Sequence, residues 1–163
     1  MSMSRENILD ILENVADPEI PVITINDLGI LRDVQVSNDG HIKVYITPTY
    51  NGCPAMDMIT VNIRSVLQDY GYSDVEVVSV LEPAWTTDWI TDSGRKKLLD
   101  YGISPPAQST LQKSFISGEK PKVICPQCAS YNTELVSLFG STACKAMYKC
   151  LDCLEPFDYF KCH

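Results

Sequence analysis

Two CxxC motifs near the end of the chain, Cys125-Pro126-Gln127-Cys128 and Cys150-Leu151-Asp152-Cys153, restrict its folding more than any other feature. Two residues between cysteines let a tight turn aim both sulfurs at one point. Two such turns, brought together by short strands, supply a tetrahedral four-thiolate metal site. A redox CxxC comes singly beside a βαβ pattern, so the duplicated motif reads as a metal centre. Zinc is the default occupant of a closed four-sulfur site, yet the same geometry suits an iron–sulfur cluster, and spacing does not separate them. Six of the seven cysteines follow Val123. About 42 residues are too few to build a sufficient apolar core, so the metal is expected to staple the module. Cys144 and Cys162 are left over, as buried thiols or as additional ligands. Ala129 stands where such knuckles usually have glycine.

Ahead of this module lies an acidic domain. The chain has 163 residues and a net charge of -8, with 13 Lys+Arg against 21 Asp+Glu. From residue 122 onward four lysines balance four acids, so the whole excess lies in the first 121 residues. Neither part has the cationic surplus that nucleic acid or an anionic membrane demands. Arg95-Lys96-Lys97 is the one basic cluster and reads as a solvated helix face. No run of about 18 apolar residues offers a membrane span. The acidic amino terminus lacks the pattern of a secretory signal. A cytoplasmic location is the expectation, where thiols serve as ligands or reactive groups rather than disulfides.

The hydrophobic pattern of the first part is legible. Ile8, Ile11, Leu12 and Val15 recur at helical spacing after Ser4, a cap candidate, with Asp17-Pro18 as the stop. Residues 30–36 and 41–47 alternate as strands around the turn Ser37-Asn38-Asp39-Gly40. Cys53-Pro54 opens a long helix with Met56, Ile59, Ile63, Val66, Leu67 and Tyr70 on one stripe, ended by Gly71. A strand follows at 75–81 and a helix at 91–101, ended by Gly102. This order predicts an α+β domain, a small sheet with helices on one face, over residues 1–103. A Ser/Pro/Gln-rich linker spans 104–121, and a four-cysteine, zinc-ribbon-like β module spans 122–163.

Outside the knuckles, Cys53 is the residue to examine. Pro54 suits the first helical position, which puts Cys53 at the N-cap, where orphan amides favour a thiolate. Such a thiolate could ligate a soft metal or accept a transient cluster; the alternative is a small buried residue and a poor cap. Asp17-Pro18-Glu19 puts two carboxylates in one turn and reads by itself as a solvated helix stop. Trp85 and Trp89 either anchor a loop on the core or meet a partner. With two histidines in the chain there is little material for a hydrolytic triad or a di-iron site, and no phosphate loop occurs. No catalytic activity of the chain alone is expected.

Several of these residues together carry a resemblance. Asp17-Pro18-Glu19, Asn26-Asp27-Leu28-Gly29-Ile30, Thr49-x3-Cys53-Pro54 and Pro83-x-Trp85 resemble the assembly-factor domain of SufT-type and cytosolic iron–sulfur targeting proteins. Residues 83–90, Phe139-Gly140-Ser141-Thr142-Ala143-Cys144-Lys145-Ala146 and Glu155-Pro156-Phe157-Asp158 resemble the PaaD family of phenylacetate degradation. The resemblance implies an accessory component of the multicomponent phenylacetyl-CoA epoxidase, acting in iron–sulfur maturation or delivery to the reductase. Its alternatives are a direct Fe–S electron-transfer component or a scaffold. It implies Cys53 as the cluster-transfer or transient metal ligand, with Asp17, Glu19, Thr49, Trp85 and Trp89 supporting it or binding partners. It implies Cys125, Cys128, Cys150 and Cys153 as the ribbon ligands. The partners implied are the reductase, the oxygenase and the iron–sulfur assembly machinery, with homo-oligomerisation open.

Overall fold

The computed structural model describes residues 4–106 and 122–161. The chain divides into two compact units, Met1–Trp85 and Thr86–His163.

In the first unit, helix α1 (Arg5–Leu12) starts at Ser4, whose side chain accepts from the Asn7 amide. It ends at Leu12, earlier than Asp17-Pro18. The chain beyond it folds back on itself instead. The Asp17 amide donates to Ile23 O and the Ile25 amide to Val15 O, with Ala16 bridged to Thr24. Strand β1 (Leu31–Val36) pairs antiparallel with β2 (Ile42–Ile46), and β2 pairs parallel with β3 (Val75–Ser79). A parallel neighbour needs a crossover, and helix α2 (Ala55–Asp69) provides it. Val34, Ile42, Val44 and Ile46 face the same core as Ile8 and Leu12 of α1 and Ile59, Ile63 and Leu67 of α2; all are buried. Each such fully buried side chain contributes about 1.5–3 kcal/mol. The opposite sheet face is polar: His41 lies between Asp74 and Glu76, and Lys43 also meets Glu76.

The second unit begins earlier than the sequence pattern predicts. Helix α3 (Asp92–Tyr101) is capped by Thr91, which accepts from the Gly94 amide at 2.9 Å. It stops at Gly102, whose φ of 95° is the left-handed cap conformation that glycine adopts freely. That turn feeds β4 (Ile103–Ser104), which pairs parallel with β7 (Pro156–Phe160). Strand pairing draws α3 into the second unit, although its periodicity gives no sign of this. Ser104, placed by the sequence pattern in the linker, is a fully buried strand residue; most of that linker lies outside the described residues. Arg95 is no solvated cation: its guanidinium donates to Thr87 O and Pro106 O. Strands β5 (Thr133–Ser137) and β6 (Lys145–Cys150) complete a sheet of order β4-β7-β6-β5. Its core is small: Val123, Cys125, Ala146, Tyr148, Cys150 and Phe157.

Candidate metal centre and the Cys53 loop

The sheet of the second unit brings the two CxxC turns together. The sulfurs of Cys125, Cys128, Cys150 and Cys153 all lie within 4.8 Å of one another. Cys125 Sγ is 3.7 Å from Cys153 Sγ, and Cys128 Sγ is 3.5 Å from Cys150 Sγ. Zinc–sulfur bonds of about 2.3 Å in a tetrahedron place sulfurs about 3.8 Å apart, so the four thiols fit a metal ion of this kind. Both turns use the same backbone device. Ala129 and Leu154, each following the second cysteine of its motif, have φ of 60° and 66°. The left-handed position expected for glycine therefore occurs twice, filled by side-chain-bearing residues.

Backbone amides aim at the sulfurs. Those of Cys153 and Asp152 favour the Cys150 thiolate and lower its pKa to about 7. At Cys153 the Glu155 amide pulls down, but burial and the neighbouring sulfurs outweigh it and push that thiol up to about 12. At Cys128 the Ser130 amide also pulls down, and burial with the Cys150 sulfur again prevails, leaving that thiol raised. Four thiolates packed this closely repel one another, and a cation relieves that repulsion. The chemistry of the donor set thus calls for a metal.

A polar clasp missed in the sequence joins the knuckles. Asp152 accepts from Ser130 Oγ and, at 2.8 Å, from Asn132 Nδ2, while the Leu151 amide donates to Asn132 O. These hydrogen bonds hold the Asp152 carboxyl below the usual range. Hydrogen-bonding side chains just after the first motif and inside the second were the available signal. Cys144 stands outside the four-sulfur cluster: it is buried, with its sulfur 3.0 Å from Thr142 Oγ1. Cys162 lies outside the described residues.

Cys53 occupies the loop between β2 and α2. Pro54 takes the cap position, at φ −67° and ψ −21°, and no side chain caps the helix. The expected capping role of the Cys53 sulfur is therefore absent, because the chain is already helical at Pro54. The Cys53 backbone is engaged, its amide donating to Tyr50 O and its carbonyl accepting from Met56 N. Its side chain is half-buried and, among the described residues, makes no hydrogen bond. Gly52 beside it has φ of 79°, and a Cβ there would meet nothing within 4 Å. At the root of the loop Thr47 is buried, and its hydroxyl has no hydrogen-bond partner among the described residues. Thr49 is buried on the same loop.

The remaining residues serve the fold. Asp17 is buried, and its Oδ1 accepts from the amides of Glu19 and Ile20, both at 2.8 Å. Trp85 is 8% exposed, and its Nε1 donates to Leu28 O at 2.7 Å, inside the first unit. Trp89 belongs to the second unit, in the short 3-10 turn Thr87–Trp89.

Comparison with known proteins matches both units. Residues 5–80 match the iron–sulfur cluster assembly protein family, and residues 109–161 match the PaaD zinc beta ribbon domain. The chain is 50% identical over 93% of its length to a 1,2-phenylacetyl-CoA epoxidase component from Escherichia coli, covering 89% of that protein. It is 39% identical over 52% of its length to an Fe-S protein maturation auxiliary factor of Bacillus subtilis, covering 82% of it. A crystal structure of a domain of unknown function from Bacillus anthracis superposes with a TM-score of 0.54 at 26% identity, covering 58% of this chain and 90% of that one. No helix among the described residues is long and apolar enough to cross a membrane. The chain belongs to the PaaD family of phenylacetyl-CoA epoxidase components, with an iron–sulfur cluster assembly domain followed by a zinc beta ribbon.

Proposed function

We propose that this protein is a non-catalytic maturation factor of the phenylacetyl-CoA epoxidase, carrying an iron–sulfur cluster as cargo to the reductase component in the cytoplasm. The observation that carries the reading is the state of Cys53. It is a half-buried thiol without a hydrogen bond, beside an open glycine, on the domain shared with proteins named Fe-S maturation auxiliary factors. A soft ligand left unengaged by its own fold can bind a cluster loosely and yield it to the thiolates of a target by ligand exchange. Thr49 belongs to the same loop, and Glu19 lies on a turn that a partner can read. The four cysteines of the second unit would hold zinc, a redox-inert ion that closes the ribbon and leaves electron transfer to other components.

The test is reductase produced with this protein or with its Cys53→Ser variant, followed by iron and sulfide analysis. The expected result is an underloaded reductase with the variant. Epoxidase turnover should then be restored by fully loaded reductase in the absence of this protein. If turnover still required the wild-type chain, an electron-transfer or scaffold role would replace maturation. Stoichiometric iron and sulfide at the four ribbon cysteines would favour electron transfer specifically.

A further inference from the structure

We infer that the ribbon forms a two-fold dimer through the outer edge of its sheet, independently of what the Cys53 loop binds. The sheet ends at β5, so this strand has a neighbour on one side only. Along it and the turn that follows, large apolar side chains face solvent: Leu135 at 47%, Val136 at 55%, Leu138 at 60% and Phe139 at 76% exposure, with Met147 beside them on β6. With roughly 150–250 Å² per large side chain, these exposures amount to on the order of 500 Å². Two copies meeting here would bury about 1,000 Å², the threshold for a specific interface. Such an edge is normally blunted by charge. Here the one acid of β5, Glu134, is opposite Lys149 on β6.

The occupant is a second copy because charge and core both favour it. The net charge of -8 belongs to the first 121 residues, so association through that part would repel. The segment from residue 122 onward is neutral, and around a two-fold axis at Val136 and Leu138 each copy would present uncharged groups to itself. The six-residue core of the ribbon is also small for its size, and a second copy would extend it. The contact is between side chains rather than a continued ladder. The β5–β6 register slips between Leu135 and Ser137, leaving Val136 as a bulge, which twists the strand away from further pairing.

The experiment is sedimentation velocity of the full, metal-loaded chain across the micromolar range. The expected result is a monomer–dimer equilibrium in the wild type. Val136→Lys and Phe139→Glu should each weaken the dimer ~10-fold or more. Val61→Lys, at an exposed position on α2, should leave it unchanged. Metal content identifies any variant that fails to fold, and the other ribbon variant then decides. A wild type that stays monomeric throughout, a dimer that survives both ribbon substitutions, or one broken equally by Val61→Lys would overturn the inference.

Discussion

Asn132 donates from Nδ2 to Asp152 Oδ1 at 2.8 Å, across 20 residues of chain, and so ties one cysteine knuckle to the other. Neither residue is a ligand. The pair holds the two turns in the register in which their sulfurs converge, with Ser130 as a second donor to the same carboxylate. Asp152→Ala should leave metal stoichiometry intact but destabilise the ribbon by about 1–3 kcal/mol, because two donors lose a charged acceptor. Rates of zinc release to a chromophoric chelator should rise in this variant. Unchanged rates would mean the clasp does not support the site.

Removal of the metal should have a local effect. A structural zinc contributes on the order of 10 kcal/mol to a domain of this size, more than a six-residue core can supply. Cys150→Ser, or chelation, should abolish native amide dispersion for residues 122–161 while the Met1–Trp85 unit stays folded. Metal uptake should also release protons from Cys128 and Cys153, whose raised pKa values keep both thiols protonated near neutral pH. Titration calorimetry in buffers of different ionisation enthalpy measures that release, and apparent affinity should fall as the medium is acidified.

Trp85 provides a stability test separable from the site. Its ring is buried and its N–H is satisfied by Leu28 O. Trp85→Ala should cost about 3–5 kcal/mol, and Trp85→Phe less, the Leu28 carbonyl losing its indole donor. Chemical denaturation followed by the far-UV signal of the first unit reads both.

Thr47 separates fold from function. Its buried hydroxyl has no partner among the described residues, so Thr47→Val should be neutral or stabilising by about 1 kcal/mol. Reductase loading measured with this variant tells whether the hydroxyl serves the Cys53 loop. Normal loading assigns it no part; reduced loading in a more stable protein assigns it one.

The sheet's polar face sets a pH dependence. His41 Nδ1 is 2.9 Å from Asp74 and Nε2 is 3.2 Å from Glu76; the Asp74 hydrogen bond, then that of Glu76, raises its pKa above the ordinary 6.5. A group with a raised folded-state pKa stabilises fully below its unfolded value and loses that contribution as pH rises through the folded one. Stability of the first unit should therefore decline from mildly acidic to mildly alkaline pH, and His41→Gln should flatten that slope. Lys43 shares Glu76 and limits the size of the effect.

The sequence was most informative where a local rule governs. The Ser4 and Thr91 caps, the stop at Gly102, the α2 stripe of Ile59, Ile63 and Leu67, and the convergence of four cysteines all follow from spacing and residue type. What was illegible depends on pairing between distant segments. Nothing in Ile103 and Ser104 announces a parallel partnership with Asp158 and Tyr159, yet that pairing decides which unit owns α3. Arg95 looked solvent-facing because its acceptors are carbonyls, which sequence does not distinguish. Asp17 read as a helix stop because turn-forming aspartates occur in both settings. Its two amide donors belong to a separate backbone turn.

The parallel pairing of β2 with β3 has a kinetic consequence. These strands can register only after all of α2 has been made and swung back over the sheet, whereas β6 and β7 are joined by a short turn. Loop closure therefore sets the pace of the first unit, and cation supply sets that of the second. During synthesis under zinc starvation, the amino-terminal half should reach its native state on schedule while the carboxy-terminal half waits, exposed to proteases, for an ion.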